Sequence, residues 1–306
     1  MEWQQILGFY QIAKLGSFTR AAKATFRTQS AISQQIKSLE EELGFQLFER
    51  IGRSNLKLTK AGESFLRFSV TLLDTHDQLV AELKELGGQR AGRIKIAAPF
   101  ETFYYLIPNN LQNFTSIYPN IELSIIHCPT TEIVELVKYG EIDFGLAMEY
   151  VIPRDLTTIR WKRSERFLMT PIDHPLLKIK RVKLRQIVRY PLILPPKIYP
   201  IRKRFDEKLE QLNLKCRIAI ESPNVLLCAQ CVELGLGVSI ISEGLAQRLR
   251  KEKRKISLIP LDRQLGWDYV ALVMRKDKKL LAYQKAFINI FLGAPIIKSF
   301  QNYKQK

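Results

Sequence analysis

Gln29, Ser30, Ser33 and Gln34 fall at helical spacing, with Ala31 between them and Lys37 one turn further on. The first four side chains donate and accept hydrogen bonds without carrying charge. Glutamine pairs with an adenine edge through two bonds, serine reaches several bases, and a methyl group meets the thymine methyl, so the mixture suits the reading of a DNA major groove. Arg50, Arg53 and Lys57 follow in a hairpin-like stretch and, with Lys37, suit phosphate oxygens; wing arginines also suit a minor groove. The same stretch, TQSAISQQIKSLEEELG, places Ile32, Ile36, Leu39 and Leu43 on its opposite side as an apolar stripe. Thr28 is placed to cap its start and Gly44 to end it. A three-helix bundle with a merely polar exterior is the competing explanation of this pattern.

No other constellation carries comparable chemistry. There is no legible catalytic triad, phosphate-binding glycine loop or metal-ligand cluster, so an enzyme is not expected and neither is a cofactor or a metal. His127 and His174 have no carboxylate or nucleophile arranged around them. Cys228 and Cys231 form CAQC one helical turn apart, but no second pair is spaced to complete a zinc site, and they read as small core residues. Four cysteines late in the chain make no disulfide framework, the N-terminus lacks a secretion-signal pattern, and no apolar run approaches the roughly 20 residues that span a bilayer. A cytoplasmic protein with no membrane role is the expectation.

The formal charge of +18 invites a nucleic-acid partner, yet its distribution points elsewhere. Residues 1–90 hold 12 basic and 10 acidic side chains, whereas 162–217 hold 16 and 5. That surplus reads first as solvated Lys and Arg, and second as a means of steering an anionic ligand or of touching wrapped DNA.

The elements that must position the neutral face are helical. Trp3, Ile6, Tyr10 and Ala13 suggest a first helix ending at Gly16, and Ser17 caps a short second one. The stretch 28–44 forms the third helix, and Ile51–Thr59 reads as a hairpin with Gly-Arg-Ser-Asn at its tip. From Lys60 to about Leu86, a seam of Leu72, His76, Leu79, Leu83 and Leu86 is the pattern of a helix pairing with another helix. Gly87, Gly88 and Gly92 mark a hinge. Beyond it RIKIAA, IELSII, DFGLAM, PLILP, RIAIE and GVSII read as strands. They alternate with helices near 104–118, 131–139, 201–212, 224–234 and 279–292, which argues for an α/β region with largely parallel sheets, in two lobes. Helix, turn, helix and hairpin is the layout of a winged helix-turn-helix.

The segment GSFTRAAKATFRTQSAISQQIKSLEEELGFQLFER, followed by LTKAG, resembles the DNA-binding domain of LysR-type transcriptional regulators. The resemblance implies an α+β chain. A winged helix-turn-helix would occupy 1–59 and a linker helix and hinge 60–90. A two-lobed α/β effector domain like a periplasmic binding protein would occupy 91–306, with lobe I about 91–160 and 267–306 and lobe II about 161–266. It also implies a homodimer through the linker helix, two dimers grouped into a homotetramer, double-stranded promoter DNA with an interrupted palindrome, RNA polymerase, and a small-molecule effector held between the lobes. Ser17, Phe18, Thr19, Arg20, Arg27 and Thr28 join the face residues as expected DNA contacts. Thr25 and Arg27 stand where the family places aliphatic residues, and Phe26 is expected to supply the apolar contact they lack.

For the effector, strand-end loops qualify, as in other open α/β sheets. Pro99, Phe100, Glu101, Thr102 and Phe103 form the first; Thr130 and Thr131 the second; Met148 the third; Pro196 and Lys197 the fourth. Thr102, Thr130 and Thr131 suit a carboxylate or sulfate-like group, with Lys197 or Arg202 to neutralise it. The proline, acid and aromatics of the first loop favour instead an amphipathic or cationic ligand, or an altered site. RWKRSERFLMTPIDHPL, with Trp161, Arg163, Ser164, His174 and Pro175, resembles the cysteine-regulon activator branch and suggests sulfur metabolism, with Trp161 near the effector. A solute-binding protein without a DNA role is the alternative class, opposed by the N-terminal motif.

Overall fold

The computed structural model describes residues 1–51, 55–86, 92–102 and 108–293. The chain divides near residue 91 into two compact units.

In the first unit, α1 (Trp3–Leu15), α2 (Phe18–Ala24) and α3 (Gln29–Leu43) pack around Ile6, Phe9, Ile12, Ala21, Ile32, Ile36 and Leu39. The inward face of α1 is turned from the expected one: Phe9 and Ile12 are fully buried, while Trp3 is 38% exposed and rests 5.0 Å from the His76 ring. Burying Phe9 and Ile12 beside Ile6 removes more apolar surface from water than Tyr10 and Ala13 would. Gly16 and Gly44 end their helices in the left-handed conformation, at φ 61° and 71°, and their amides reach back to Ile12 O and Glu40 O. Ser17 Oγ accepts from the Arg20 amide at 3.3 Å and Thr28 Oγ1 from the Ala31 amide at 3.2 Å, caps worth about 1 kcal/mol each.

Strands β1 (Phe48–Ile51) and β2 (Asn55–Leu58) pair antiparallel, Phe48 opposite Leu58 and Ile51 opposite Asn55. The hairpin thus starts at Phe48, earlier than expected, and Asn55 belongs to a strand. Glu40 fixes it to α3 by accepting the Leu47 and Phe48 amides at 2.7 and 3.3 Å. Thr59 donates to Gln46 O at 2.6 Å and accepts from the Gly62 amide at 3.0 Å, which opens the 27-residue α4 (Lys60–Leu86). The expected hinge residues Gly87 and Gly88 lie outside the described residues.

The second unit contains β3 (Gly92–Ala98), α5 (Pro108–Ile117), β4 (Ile121–His127), α6 (Thr130–Lys138), β5 (Phe144–Met148), β6 (Leu156–Ser164), β7 (Arg166–Pro171), α7 (Leu184–Ile187) and β8 (Leu192–Leu194). It continues with α8 (Pro200–Gln211), β9 (Ile218–Glu221), α9 (Val225–Glu233), β10 (Val238–Ser242), α10 (Glu243–Lys251), β11 (Ile256–Pro260), α11 (Asp262–Leu265), β12 (Asp268–Arg275) and α12 (Ala282–Leu292). They build two five-stranded sheets, ordered β4-β3-β5-β12-β6 and β11-β7-β10-β8-β9. The chain leaves the first sheet after Ser164, enters the second at Arg166, and returns at Asp268.

The sheets are mixed, which corrects the expectation of largely parallel ones. The parallel pairs β3–β4, β3–β5, β8–β9 and β8–β10 are flanked by antiparallel β5–β12, β6–β12, β7–β10 and β7–β11. Among the described strands, β12 in the first sheet and β7 in the second run against the parallel core, while β6, β10 and β11 run with it. Phe114, Phe144, Phe287 and Phe291 fill the first lobe, with Phe287 edge-on to Phe114 at 5.0 Å and stacked on Phe144 at 5.8 Å. Leu168, Leu192, Phe205 and Val238 lie in the core of the second. Among the described residues, no helix is long and apolar enough to cross a membrane.

Candidate functional site

On α3, Gln29, Ser30, Ala31, Ser33, Gln34 and Lys37 are all exposed, opposite buried Ile32, Ile36 and Leu39. Thr28 is also exposed, and its hydroxyl lies 3.1 Å from that of Ser30. Lys37 stands 3.8 Å from Glu41, an exposed pair that solvent weakens. Thr19 and Arg20 are exposed on α2, where the Arg20 guanidinium donates to Leu15 O. Arg27 donates to Gln4 Oε1 at 3.1 Å, and Lys57 is exposed on β2. Phe18 is half-buried and edge-on to Phe48 at 5.8 Å, so it packs into the wing. Ser17 is half-buried in its capping role. Arg50 lies in β1, its side chain and all of Arg53 being outside the described residues.

Phe26 departs from expectation. It supplies no packing: a left-handed backbone at φ 55° leaves it 98% exposed in the turn before α3. Thr25 is held instead by its own hydroxyl, which donates to Ala21 O at 2.9 Å.

In the second unit a cavity of about 390 Å³ opens between the two sheets. Pro99, Phe100, Glu101, Thr102, Thr130 and Met148 line it from the first lobe, joined by His127 and Cys128. Arg166, Ile198, Tyr199, Val225, Leu226 and Ser242 line it from the second, with Ser164 at the crossover. Thr131, Trp161, Pro196 and Lys197 are not among the lining residues, and Phe103 lies outside the described residues. Trp161 packs on Phe291 at 4.8 Å, inside the first lobe. Pro196 closes a turn by accepting the Tyr199 amide at 3.0 Å, which brings Ile198 and Tyr199, rather than Lys197, to the cavity.

Arg202 is likewise corrected. It is buried, donating to Asp206 at 2.8 and 2.9 Å, to Pro195 O at 3.0 Å and to Glu221 at 3.2 Å, so it ties α8 to two carboxylates and does not line the cavity.

The cavity's cation is Arg166, only 2% exposed at the start of β7. Its Nη1 donates to Ser164 O and Oγ, both at 3.2 Å, and to Glu165 O at 3.3 Å; Nη2 lies 4.0 Å from Met148 Sδ. Its Nε is buried with no hydrogen-bond partner. Across the cavity, the Ser242 hydroxyl donates to Glu101 Oε2 at 2.6 Å, joining the two lobes. Burial pushes the Glu101 carboxyl above its ordinary range, against the Ser242 bond and the Arg166 charge. Burial, with Glu101 nearby, also raises the Tyr199 phenol. Beside them Arg204 pairs with Asp268 at 3.5 Å and lies 5.5 Å from the Tyr150 ring.

Sequence reasoning missed Arg166 and Ser242 because β7 was not recognised and Ser242 is an unremarkable residue after GVSII. The signal for Arg166 was a lone arginine opening the apolar run RFLMT. Cys128 and Cys228 are buried, which pushes each thiol up to about 11, away from the reactive thiolate. Among the described residues, no cluster of three His, Cys, Asp or Glu side chains is placed to hold a metal ion.

A helix-turn-helix with an exposed hydrogen-bonding face, followed by a two-lobed unit enclosing a cavity, defines a ligand-responsive transcription regulator. Residues 3–63 match the bacterial regulatory helix-turn-helix protein of the lysR family, and residues 87–294 match the LysR substrate binding domain. The chain belongs to the LysR family: it is a DNA-binding transcriptional regulator with an effector-binding domain, and not an enzyme. The HTH-type transcriptional regulator CysB of Burkholderia cenocepacia is 28% identical over 275 residues, covering 90% of this chain and 87% of that one. The uncharacterized HTH-type transcriptional regulator YybE of Bacillus subtilis is 30% identical over 243 residues, covering 79% and 83%. Among solved structures, a full-length OxyR variant from Pseudomonas aeruginosa shares the fold with a TM-score of 0.68 at 20% identity, over 97% of this chain and 95% of that one.

Proposed function

We propose that Gln29, Ser30, Ala31, Ser33 and Gln34 read base edges in the major groove, while Thr19, Arg20, Arg27, Thr28, Lys37 and Lys57, with the wing arginines, hold phosphates. The observation that carries this reading is the neutral, exposed face of α3, capped by Thr28. Two chains pair through α4, and two such dimers form a tetramer on an interrupted palindrome in the cytoplasm. The effector occupies the cavity between the lobes, shifts their arrangement, and so alters how RNA polymerase is recruited. The resemblance of residues 160–176 to the cysteine-regulon activator branch, together with the match to CysB, supports sulfur metabolism as the pathway.

Gel shifts with the full-length protein on DNA upstream of its own gene test the reading. We expect salt-sensitive, sequence-selective binding. Gln29→Ala and Gln34→Ala should each weaken the specific complex by about 1–3 kcal/mol while leaving non-specific binding unchanged. Binding without sequence preference would overturn it.

A further inference from the structure

We propose that the cavity takes an organic monoanion, a carboxylate on an apolar body, and that Arg166 is its counter-charge. The proposal rests on the effector reading of this cavity. Arg166 is a buried cation whose hydrogen bonds all go to neutral groups: two backbone carbonyls, a serine hydroxyl and a thioether. Its Nε is buried and has no acceptor. A buried guanidinium is stabilised most by a charged acceptor that matches its planar fork. Glu101 and Asp268 lie near enough for their charges to act on Arg166, but neither accepts a hydrogen bond from it. A ligand carboxylate supplies the missing acceptor.

The remaining wall fixes the rest of the molecule. Phe100, Met148, Ile198, Val225, Leu226 and Val270 make the cavity largely apolar, which suits a hydrocarbon or aromatic body. Among the described lining residues Arg166 is the one buried cation, so a second negative charge on the ligand would find no further guanidinium there and would meet the Glu101 carboxyl. A cationic ligand would face Arg166 directly. The acidic first loop, which by sequence favoured an amphipathic or cationic ligand, is therefore outweighed by a cation on the opposite lobe.

The test uses the full-length protein and matched probes built on phenyl, cyclohexyl and linear six-carbon bodies, each carrying a carboxylate, a carboxamide or an ammonium group. Melting temperature and calorimetric titration report binding. The carboxylates should bind and stabilise, with the amides and amines at least about tenfold weaker, as expected for loss of a charge-assisted hydrogen bond. Arg166→Gln should remove the carboxylate preference. If that variant does not fold, Arg166→Lys, which keeps the charge but loses the fork, should weaken carboxylate binding. Amides or amines binding as well as carboxylates, or a preference that survives loss of the guanidinium, would overturn the ligand class while leaving the cavity as the effector site. No binding by any probe, with promoter regulation intact when Val225→Trp fills the cavity, would overturn the effector reading itself.

Discussion

At the scale of single residues, Glu101 gives the ligand-binding unit a pH dependence of definite sign. Its folded-state pKa is raised by burial, so the neutral form is favoured on folding, although Ser242 and Arg166 pull the other way. Stability from this group is fully present below the ordinary carboxylate value of 4.5 and is lost as pH rises through the raised folded value. Urea denaturation between pH 4 and 8 should therefore show wild type losing stability relative to Glu101→Gln across that window. Asp268, also raised by burial, titrates in both proteins and drops out of the difference. A flat difference would show that the carboxyl is not desolvated. Gly62 illustrates a different constraint, since a Cβ there would lie 2.0 Å from the Leu47 carbonyl oxygen. The start of α4 can approach the wing only through a residue without a side chain.

At the scale of elements, α4 leaves apolar surface uncovered. Leu79 and Leu83 are 53% and 58% exposed, and Phe68 and Val80 are exposed beside them. Of the expected seam, Leu72 packs on the helical core and His76 on Trp3, and the part left open, Leu79 and Leu83, is suited to the same part of a second copy. Leu79→Asp with Leu83→Asp should convert a dimer to monomers in sedimentation velocity and weaken operator binding more than tenfold, because two half-sites would no longer be engaged together. An unchanged oligomer would place the dimer contact elsewhere. The elements also show where sequence reading works. All six strands read from the sequence are present, and the strands it missed are β6, β7, β11 and β12. Among them β6 is largely half-exposed at a sheet edge and mixes Arg, Lys and Trp, so its alternation is blurred. β7 is short and opens on an arginine that only the lobe interior explains. β12 is a plain apolar run, YVALVM, whose pattern alone does not tell a buried strand from a buried helical turn.

At the scale of the whole molecule, the two lobes are joined by two crossing segments and by the Glu101–Ser242 hydrogen bond. Removing that bond should cost about 1 kcal/mol. Ser242→Ala should raise hydrogen exchange at Glu101–Thr102 and at the start of α10 while leaving exchange in α3 unchanged. Unaltered exchange at both lobe edges would show that the bond does not hold them together. The excess of positive charge belongs to this scale too. Lys178, Lys180, Arg181, Lys183, Arg185 and Arg189 are exposed over an interior held by Val182, Leu184 and Ile187, so net charge marked a lobe surface rather than the neutral face of α3.

The sequence by itself determined the DNA-reading module, because caps, stripe, turn and face all lie within a few helical turns of one another. It also determined the alternation that makes the second unit α/β, and several loops that line its cavity. Only the tertiary structure decided the cavity's chemistry. Glu101 and its partner Ser242 are 141 residues apart, and Arg166 reaches the cavity because β6 and β7 carry the chain from one lobe to the other. The expected cations, Lys197 and Arg202, had the right charge in the right loop. A turn withdraws one and a pair of carboxylates holds the other, and neither effect is visible until the chain has folded.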